Sequence, residues 1–272
     1  MTQGCATGEG EKESIAVQFL TVGEGPFARR IAYLRRAARK GSALPELLWL
    51  GGFRSSMRGT KAEYLDSCAA RPGRAFLRFD YSGHGLSEGR FEDATIGMWL
   101  EEALAVIRSL TEGPLIIAGS SLGGWLALLA ARALHASGEA ERLKGLVLIA
   151  PATDFTEALL YKNMPPAARA ELLEKGAWLC ASPSSSEPYA ITRRLIEEGR
   201  SHLLLGGEIR AYCPVHILQG MQDETVPWRH ALLLVEHLAL DPVSLTLIKE
   251  GDHRLSRAED LARIAGAIED LG

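Results

Sequence analysis

Between Leu115 and Leu134 the chain reads LIIAGSSLGGWLALLAARAL. An apolar run, Leu115–Ala118, meets a Gly–Ser cluster and passes at once into a segment that is apolar on nearly every side. This pattern predicts a buried strand, a tight turn and a deeply packed helix over Leu122–Leu134. A membrane span over Pro114–Leu134 is the competing reading, because Arg132 is the only formal charge in that window. The cluster of Gly119, Ser120, Ser121, Gly123 and Gly124 interrupts the window and favours the strand–turn–helix reading.

The rest of the chain repeats the alternation. Ile15–Val22 and Arg29–Ala38 are β-rich and separated by Gly23–Pro26, which predicts an opening hairpin. Leu47–Leu50, Ala75–Phe79, Leu146–Ile149, Val215–Leu218 and Leu245–Ile248 are short apolar runs of buried-strand type. Ile96–Leu110, Leu232–Leu240 and Leu261–Leu271 read as helices. Continuous apolar strands alternating with helices predict an α/β fold, a mostly parallel sheet covered by helices on both faces. One stretch breaks the rhythm. From about 152 to 211 no clear strand is legible, and helical pieces around Ala167–Leu173 and Tyr189–Glu197 flank the Ser/Pro segment Ala181–Pro188. The expected organisation is a tail over residues 1–14 and one domain over 15–272, with an inserted helical cap at about 152–211.

Composition narrows the function classes. The 272 residues carry a net charge of −4, with 47% hydrophobic and 24% charged residues, so the chain is an ordinary globular one. The basic residues are scattered in ones and twos, which argues against a nucleic-acid partner. Cys5, Cys68, Cys180 and Cys213 form no CxxC pair, and are expected to be free thiols in a reducing compartment. The N-terminus has no basic or apolar leader region and carries acid without Arg, so a cytoplasmic location is expected.

The turn itself carries chemistry. Gly119, Ser121 and Gly123 fit the pattern G-x-S-x-G at a strand-to-helix junction, the context of a nucleophile elbow. Such a turn forces its central serine into a strained backbone conformation and needs small neighbours where the flanking backbones meet. The hydroxyl then sits at a helix N-terminus, where free N–H groups favour an oxyanion.

A serine hydroxyl needs a base, and the base needs an orienting carboxylate. In chain order the acid and then the histidine should follow the serine. Asp223 follows strand Val215–Leu218 and His253 follows strand Leu245–Ile248. Both lie past the C-terminal ends of strands, the edge where an open α/β sheet builds its site. The other histidines fit less well. His135, His230 and His237 fall in helices, His216 in a strand and His202 in the cap, while His84 precedes the serine and reads as a turn residue. Asp154 is the runner-up acid, and Asp252 takes a structural role. The oxyanion donors are expected to be the N–H groups of Leu122, after the nucleophile, and Phe53, after Gly51-Gly52.

Five motifs occur together: GFRSSMRGTKA (Gly52–Ala62), FDYSGHGLS (Phe79–Ser87), GSSLGGW (Gly119–Trp125), GMQDETVPW (Gly220–Trp228) and DHR (Asp252–Arg254). They resemble the α/β-hydrolase superfamily from about Ile15 onward, and within it the branch of mitochondrial acyl-protein thioesterases and acyl-glucuronide esterases. The resemblance implies an α/β-hydrolase fold and a triad of Ser121, Asp223 and His253, the same residues reached from strand ends and chain order. Many members carry His-Gly where this chain has Gly51-Gly52. With no transit peptide legible, the resemblance implies a bacterial-type cytoplasmic relative.

The expected function is a serine hydrolase that cleaves carboxylic esters or thioesters of small-molecule or protein-linked acyl substrates. It would need no cofactor and no metal, and would have no membrane span. An amide or carbon–carbon bond hydrolase, and a ligand receptor with vestigial hydrolysis, are the alternatives. Tyr161, Met164, Trp178 and Tyr189 are candidate linings of an acyl pocket or plain packing residues, and Trp125 and Trp228 lie near the site in sequence.

Overall fold

In the computed structural model, which describes residues 15–180 and 188–272, Gly23–Pro26 joins two antiparallel strands as its turn residues require. These are β1 (Gln18–Val22) and β2 (Arg29–Arg36), with Gln18 opposite Tyr33. The expected N-terminal tail and residues 181–187 of the Ser/Pro segment lie outside the described residues.

The chain then runs through β3 (Glu46–Leu50), α1 (Thr60–Ala70), β4 (Phe76–Phe79), α2 (Ile96–Leu110), β5 (Leu115–Ser120), α3 (Leu122–Ala136) and β6 (Leu143–Ile149). The insertion follows, with α4 (Pro166–Lys175), β7 (Ala177–Cys180), β8 (Tyr189–Thr192) and α5 (Arg193–Gly199). The chain closes with β9 (Val215–Gly220), α6 (Trp228–His237), β10 (Val243–Ile248) and α7 (Ala258–Glu269). An eight-stranded sheet in the order β1-β2-β4-β3-β5-β6-β9-β10 forms the centre, parallel from β4 through to β10.

Alternation along each strand sorts the core into two layers. Leu48 and Leu50 of β3, Ile117 of β5, Leu148 of β6 and Ile217 of β9 face one layer, which Trp99, Val106, Trp125, Leu134 and Leu234 of α2, α3 and α6 complete. Leu47, Trp49, Ile116, Ala118, Val147 and Ile149 face the other, against Leu65 of α1 and Ile264 and Ile268 of α7. Each fully buried leucine or isoleucine contributes about 1.5–3 kcal/mol. The all-round apolarity of Leu122–Leu134 thus reflects a helix buried between its neighbours. No helix among the described residues is long and apolar enough to cross a membrane.

The ladder register decides where the chemistry sits. Leu50 stands opposite Gly119, Ser120 opposite Ile149, Ile149 opposite Leu218, and Ile248 opposite Gly220. The loops after β3, β5, β9 and β10 therefore leave the sheet at one edge. They carry Phe53, Ser121, Asp223 and His253 respectively.

The insertion departs from the expectation of helices alone. β7 and β8 form a small antiparallel sheet, with Ala177 opposite Thr192. Tyr189–Glu197 is not one helix: its first residues are β8, and α5 begins at Arg193 behind the N-cap Thr192, whose hydroxyl accepts the Leu195 N–H at 3.1 Å. Phe155–Tyr161 is a π-helical segment. Leu195 and Ile196 join the first core layer, and Glu198 accepts the Gly97 N–H at the start of α2 at 3.1 Å.

Candidate active site

Ser121 stands between β5 and α3 with φ 54° and ψ −115°, a left-handed backbone for a residue with a side chain. The glycines explain how the turn closes. A Cβ on Gly119 would lie 2.3 Å from Gly123 O, and one on Gly123 would lie 2.1 Å from Leu50 O. The strain is held from outside the turn: Ser121 N–H donates to Ile149 O at 2.8 Å, and Ser121 O accepts the Ala152 N–H at 3.1 Å.

Asp223 and His253 meet. His253 Nδ1 donates to Asp223 Oδ2 at 2.7 Å. The Asp223 side chain is fully buried and that of His253 is 29% exposed, so the pair reaches from the interior to the cavity wall. Asp223 Oδ1 accepts the N–H groups of Thr225 and Val226, each at 2.8 Å, and Oδ2 also accepts Gln219 Nε2 at 3.1 Å. These bonds fix the carboxylate plane and therefore the tautomer of His253, with its proton on Nδ1 and Nε2 bare. Gln219 is a support that the sequence reading did not identify. Its place as a polar residue near the end of an apolar strand, four residues before Asp223, is the signal for it.

Ser121 and His253 line one cavity of about 500 Å³, together with Gly52, Phe53, Arg54, Lys61, Tyr189 and Arg254. Among the described residues no hydrogen bond joins the Ser121 hydroxyl to His253. The oxyanion candidates flank the same space. A Cβ on Gly52 would lie 3.5 Å from Ser121 Cβ and 3.3 Å from Ser120 O, so the backbone leading to Phe53 passes against the nucleophile. Neither Phe53 N–H nor Leu122 N–H is taken by a loop or side-chain partner among the described residues.

The Phe53 ring is anchored in an aromatic group, 4.9 Å from Phe91, 5.2 Å from Phe155 and 6.1 Å from Tyr189. The Arg54 guanidinium stacks over Tyr189 at 4.2 Å. Of the four insertion residues considered for an acyl pocket, Tyr189 lines the cavity, while Met164 is buried in the first core layer and Tyr161 and Trp178 pack against it. Trp125 is fully buried core, and Trp228 is half-buried beneath the Arg229 guanidinium.

The residues set aside from sequence have other work. Asp154 is buried and accepts the N–H groups of Leu204 and Leu205, both at 2.8 Å, and burial raises its pKa. It ties the segment after β6 to the end of the insertion. Asp252 accepts the Leu255 N–H at 2.9 Å, closing the turn after His253. His230 Nε2 donates to Thr153 O at 2.8 Å. Cys68, Cys180 and Cys213 stand outside any disulfide among the described residues, and burial pushes the last two up to about 11 and about 12.

Lys61 was not singled out individually from sequence, although it lies in the Gly52–Ala62 motif. From the first turn of α1 its ammonium donates to Arg254 O, beside His253. Burial pushes its pKa down to about 8, against the opposing pull of Asp252.

Comparison with known proteins agrees with this architecture. The model of a family described as the alpha/beta hydrolase family matches residues 41–267. The mouse protein named palmitoyl-protein thioesterase ABHD10, mitochondrial, is 36% identical over 261 residues, which are 96% of this chain and 84% of that protein. A crystallised protein from Agrobacterium vitis, named putative hydrolase, superposes with a TM-score of 0.91 at 48% identity, covering 95% of this chain and 99% of its own. The structure of mouse alpha/beta hydrolase domain-containing protein 10 superposes at 0.81 with 34% identity, covering 94% and 98%. The relatives' names carry the word mitochondrial, and this overturns the cytoplasmic expectation. Charge patterning at one end of a chain assigns no compartment.

Proposed function

This chain belongs to the alpha/beta hydrolase family, an enzyme of esterase and thioesterase type, and on that premise we propose that it cleaves acyl esters and thioesters through Ser121, His253 and Asp223. The observation that carries this reading is the 2.7 Å bond from His253 to a fully buried Asp223, on loops at the edge where Ser121 is held at φ 54°.

The Ser121 oxygen attacks the acyl carbon as its proton passes to His253 Nε2. The Nδ1–H stays on His253, and the Asp223 carboxylate stabilises the imidazolium that forms. The oxyanion of the tetrahedral intermediate accepts the N–H groups of Phe53 and Leu122. Collapse breaks the bond to the alcohol or thiol, which leaves with the proton from His253. Water then attacks the acyl-Ser121 carbon and gives a proton to His253, which passes it to the Ser121 oxygen as the acyl bond breaks, releasing the carboxylic acid and the free serine. The serine proton thus leaves with the alcohol or thiol, a proton from water restores the serine hydroxyl, and no outside reductant or cofactor is required.

The name of the relatives supports a thioester on a protein, and the half-buried aromatics Phe53 and Tyr189 give the cavity an apolar wall for an acyl chain. The test is hydrolysis of p-nitrophenyl esters from acetyl to palmitoyl and of the matching acyl thioesters, with Ser121→Ala beside the wild type. Turnover of both classes that vanishes in the variant is expected. Activity that survives in Ser121→Ala, or none in a folded wild type, would overturn the assignment.

A further inference from the structure

The loop after β3 turns sharply, and its two middle peptide units are each pinned from a different side. The Gly52 carbonyl accepts Ser55 N–H at 3.1 Å and Ser55 Oγ–H at 2.7 Å. Phe53 N–H belongs to that same planar unit and points away from the carbonyl, so fixing Gly52 O aims Phe53 N–H. The next unit carries Arg54 N–H, which donates to His84 Nε2 at 3.0 Å. Arg54 sits at φ 56°, a backbone rare for a residue with a side chain, so this turn does not hold itself by preference.

His84 comes from the loop after β4, thirty residues along the chain. Its Nδ1 faces Ser82 O at 3.2 Å. A carbonyl only accepts and a backbone N–H only donates, so Nδ1 carries the proton and Nε2 is bare. The ring is buried against Tyr81, Phe91 and Trp99, with centroids 5.8, 5.4 and 5.4 Å away. Phe91 and Trp99 also pack on Phe53, at 4.9 and 6.0 Å. The two loops are joined a second time where Asp80 Oδ1 accepts the Met57 N–H at 2.6 Å.

We propose that His84 is a positioning residue: as the neutral acceptor of Arg54 N–H, it holds the backbone on one side of Phe53 so that the Phe53 N–H meets the oxyanion beside Ser121. The inference rests on the reading in which Phe53 N–H is an oxyanion donor. It gives a function to the histidine of the Asp80–Ser87 stretch, which the triad leaves unused. A loop donor is useful only if it is already aligned when charge develops, because reorganising it during reaction forfeits its advantage.

The test separates positioning from plain packing. In His84→Gln the side-chain oxygen reaches the Nε2 position and keeps an acceptor for Arg54. In His84→Asn the amide reaches only the Nδ1 position and keeps the Ser82 contact. We expect His84→Asn to lower kcat on p-nitrophenyl butyrate by about ten- to a hundredfold with KM within about twofold, part of the loss seen when an oxyanion donor is removed. Inhibition by butaneboronic acid, whose tetrahedral adduct presents an oxygen to the same donors, should weaken by a similar factor. His84→Gln should recover most of both.

An active wild type with Gln and Asn variants alike in kcat, or a kcat loss without a change in boronate inhibition, overturns this inference alone. A wild type without esterase activity overturns the underlying reading and this inference with it. Should the variants fail to fold, nitrogen NMR of the wild type decides. A protonated Nδ1 with a bare Nε2 on His84 supports the proposal, and the reverse tautomer overturns it.

Discussion

His253 Nδ1 lies 2.7 Å from Asp223 Oδ2, while the other Asp223 oxygen is claimed by the N–H groups of Thr225 and Val226. Two backbone donors face Oδ1 against the single Gln219 side-chain donor at Oδ2, so an asparagine keeps its oxygen at Oδ1 and turns its NH₂ toward His253, which forces the ring proton onto Nε2 and leaves no base for Ser121. Asp223→Asn is expected to keep the fold and lose about 10⁴ in kcat. Steady-state kinetics at neutral pH check this, and a loss below about tenfold would contradict the orientation argued here.

Ser121 predicts an opposition between activity and stability. Its φ of 54° costs on the order of 1–3 kcal/mol for a residue with a side chain. Glycine adopts that backbone freely but adds about 0.4–1 kcal/mol of unfolded-chain entropy. Ser121→Gly should therefore be inactive and more stable by about 1 kcal/mol, which raises Tm by about 2–4 °C. A thermal melt beside the Ser121→Ala variant, which keeps the strain, measures the difference.

Two buried histidines set an acid limit on stability. Burial pushes the pKa of His84 and of His230 below the ordinary 6.5. The unfolded chain then binds protons that the folded chain refuses, so the stability they give is present above 6.5 and lost as pH falls toward the folded values. Each contributes at most about 1.4 kcal/mol per pH unit across that window. His230→Gln keeps an N–H for Thr153 O and has no proton to gain. Denaturant unfolding at about pH 7.5 and about pH 5.5 should show a smaller loss in the variant than in the wild type.

Lys61 should be the first lysine to acylate. With its pKa pushed down to about 8, roughly half of its amine is unprotonated at that pH, against about one part in 250 for an ordinary lysine. It also lines the cavity. Brief treatment with acetic anhydride at pH about 8, read by peptide mass spectrometry, should modify Lys61 ahead of the other lysines. A bound boronate should slow that modification. Equal labelling of Lys61 and the surface lysines would contradict the burial that lowers it.

Much of this architecture is legible in the residues because packing dictates it. Leu115–Ala118 and Leu122–Leu134 admit no partner but other apolar layers, and their junction marks Ser121. Asp223 and His253 are legible as candidates because the ends of parallel strands are fixed points in such a sheet. The misses have physical causes too. α1 buries Ala62, Leu65, Asp66 and Ala69, one large apolar residue among two alanines and a carboxylate, which leaves little amphipathic signal. β7 and β8 are four residues each and mostly half-buried, so neither alternation nor a continuous apolar run marks them. The helix read over Leu232–Leu240 begins earlier and ends at His237, since Pro227 sets its start and Leu238 packs beyond its end. Arg54 to His84 and Lys61 to Arg254 join segments far apart in sequence, which no local pattern can express.

The central claim is that Ser121 becomes covalently acylated. Its most direct test is reaction of the folded protein with a fluorophosphonate, a reagent that phosphonylates activated serine hydroxyls, followed by mass spectrometry of the intact chain and its peptides. One adduct, on the peptide holding Ser121, lost in Ser121→Ala and strongly slowed in Asp223→Asn, is the predicted result. An adduct elsewhere, on Ser120 for example, or no adduct on a folded wild type, would contradict it.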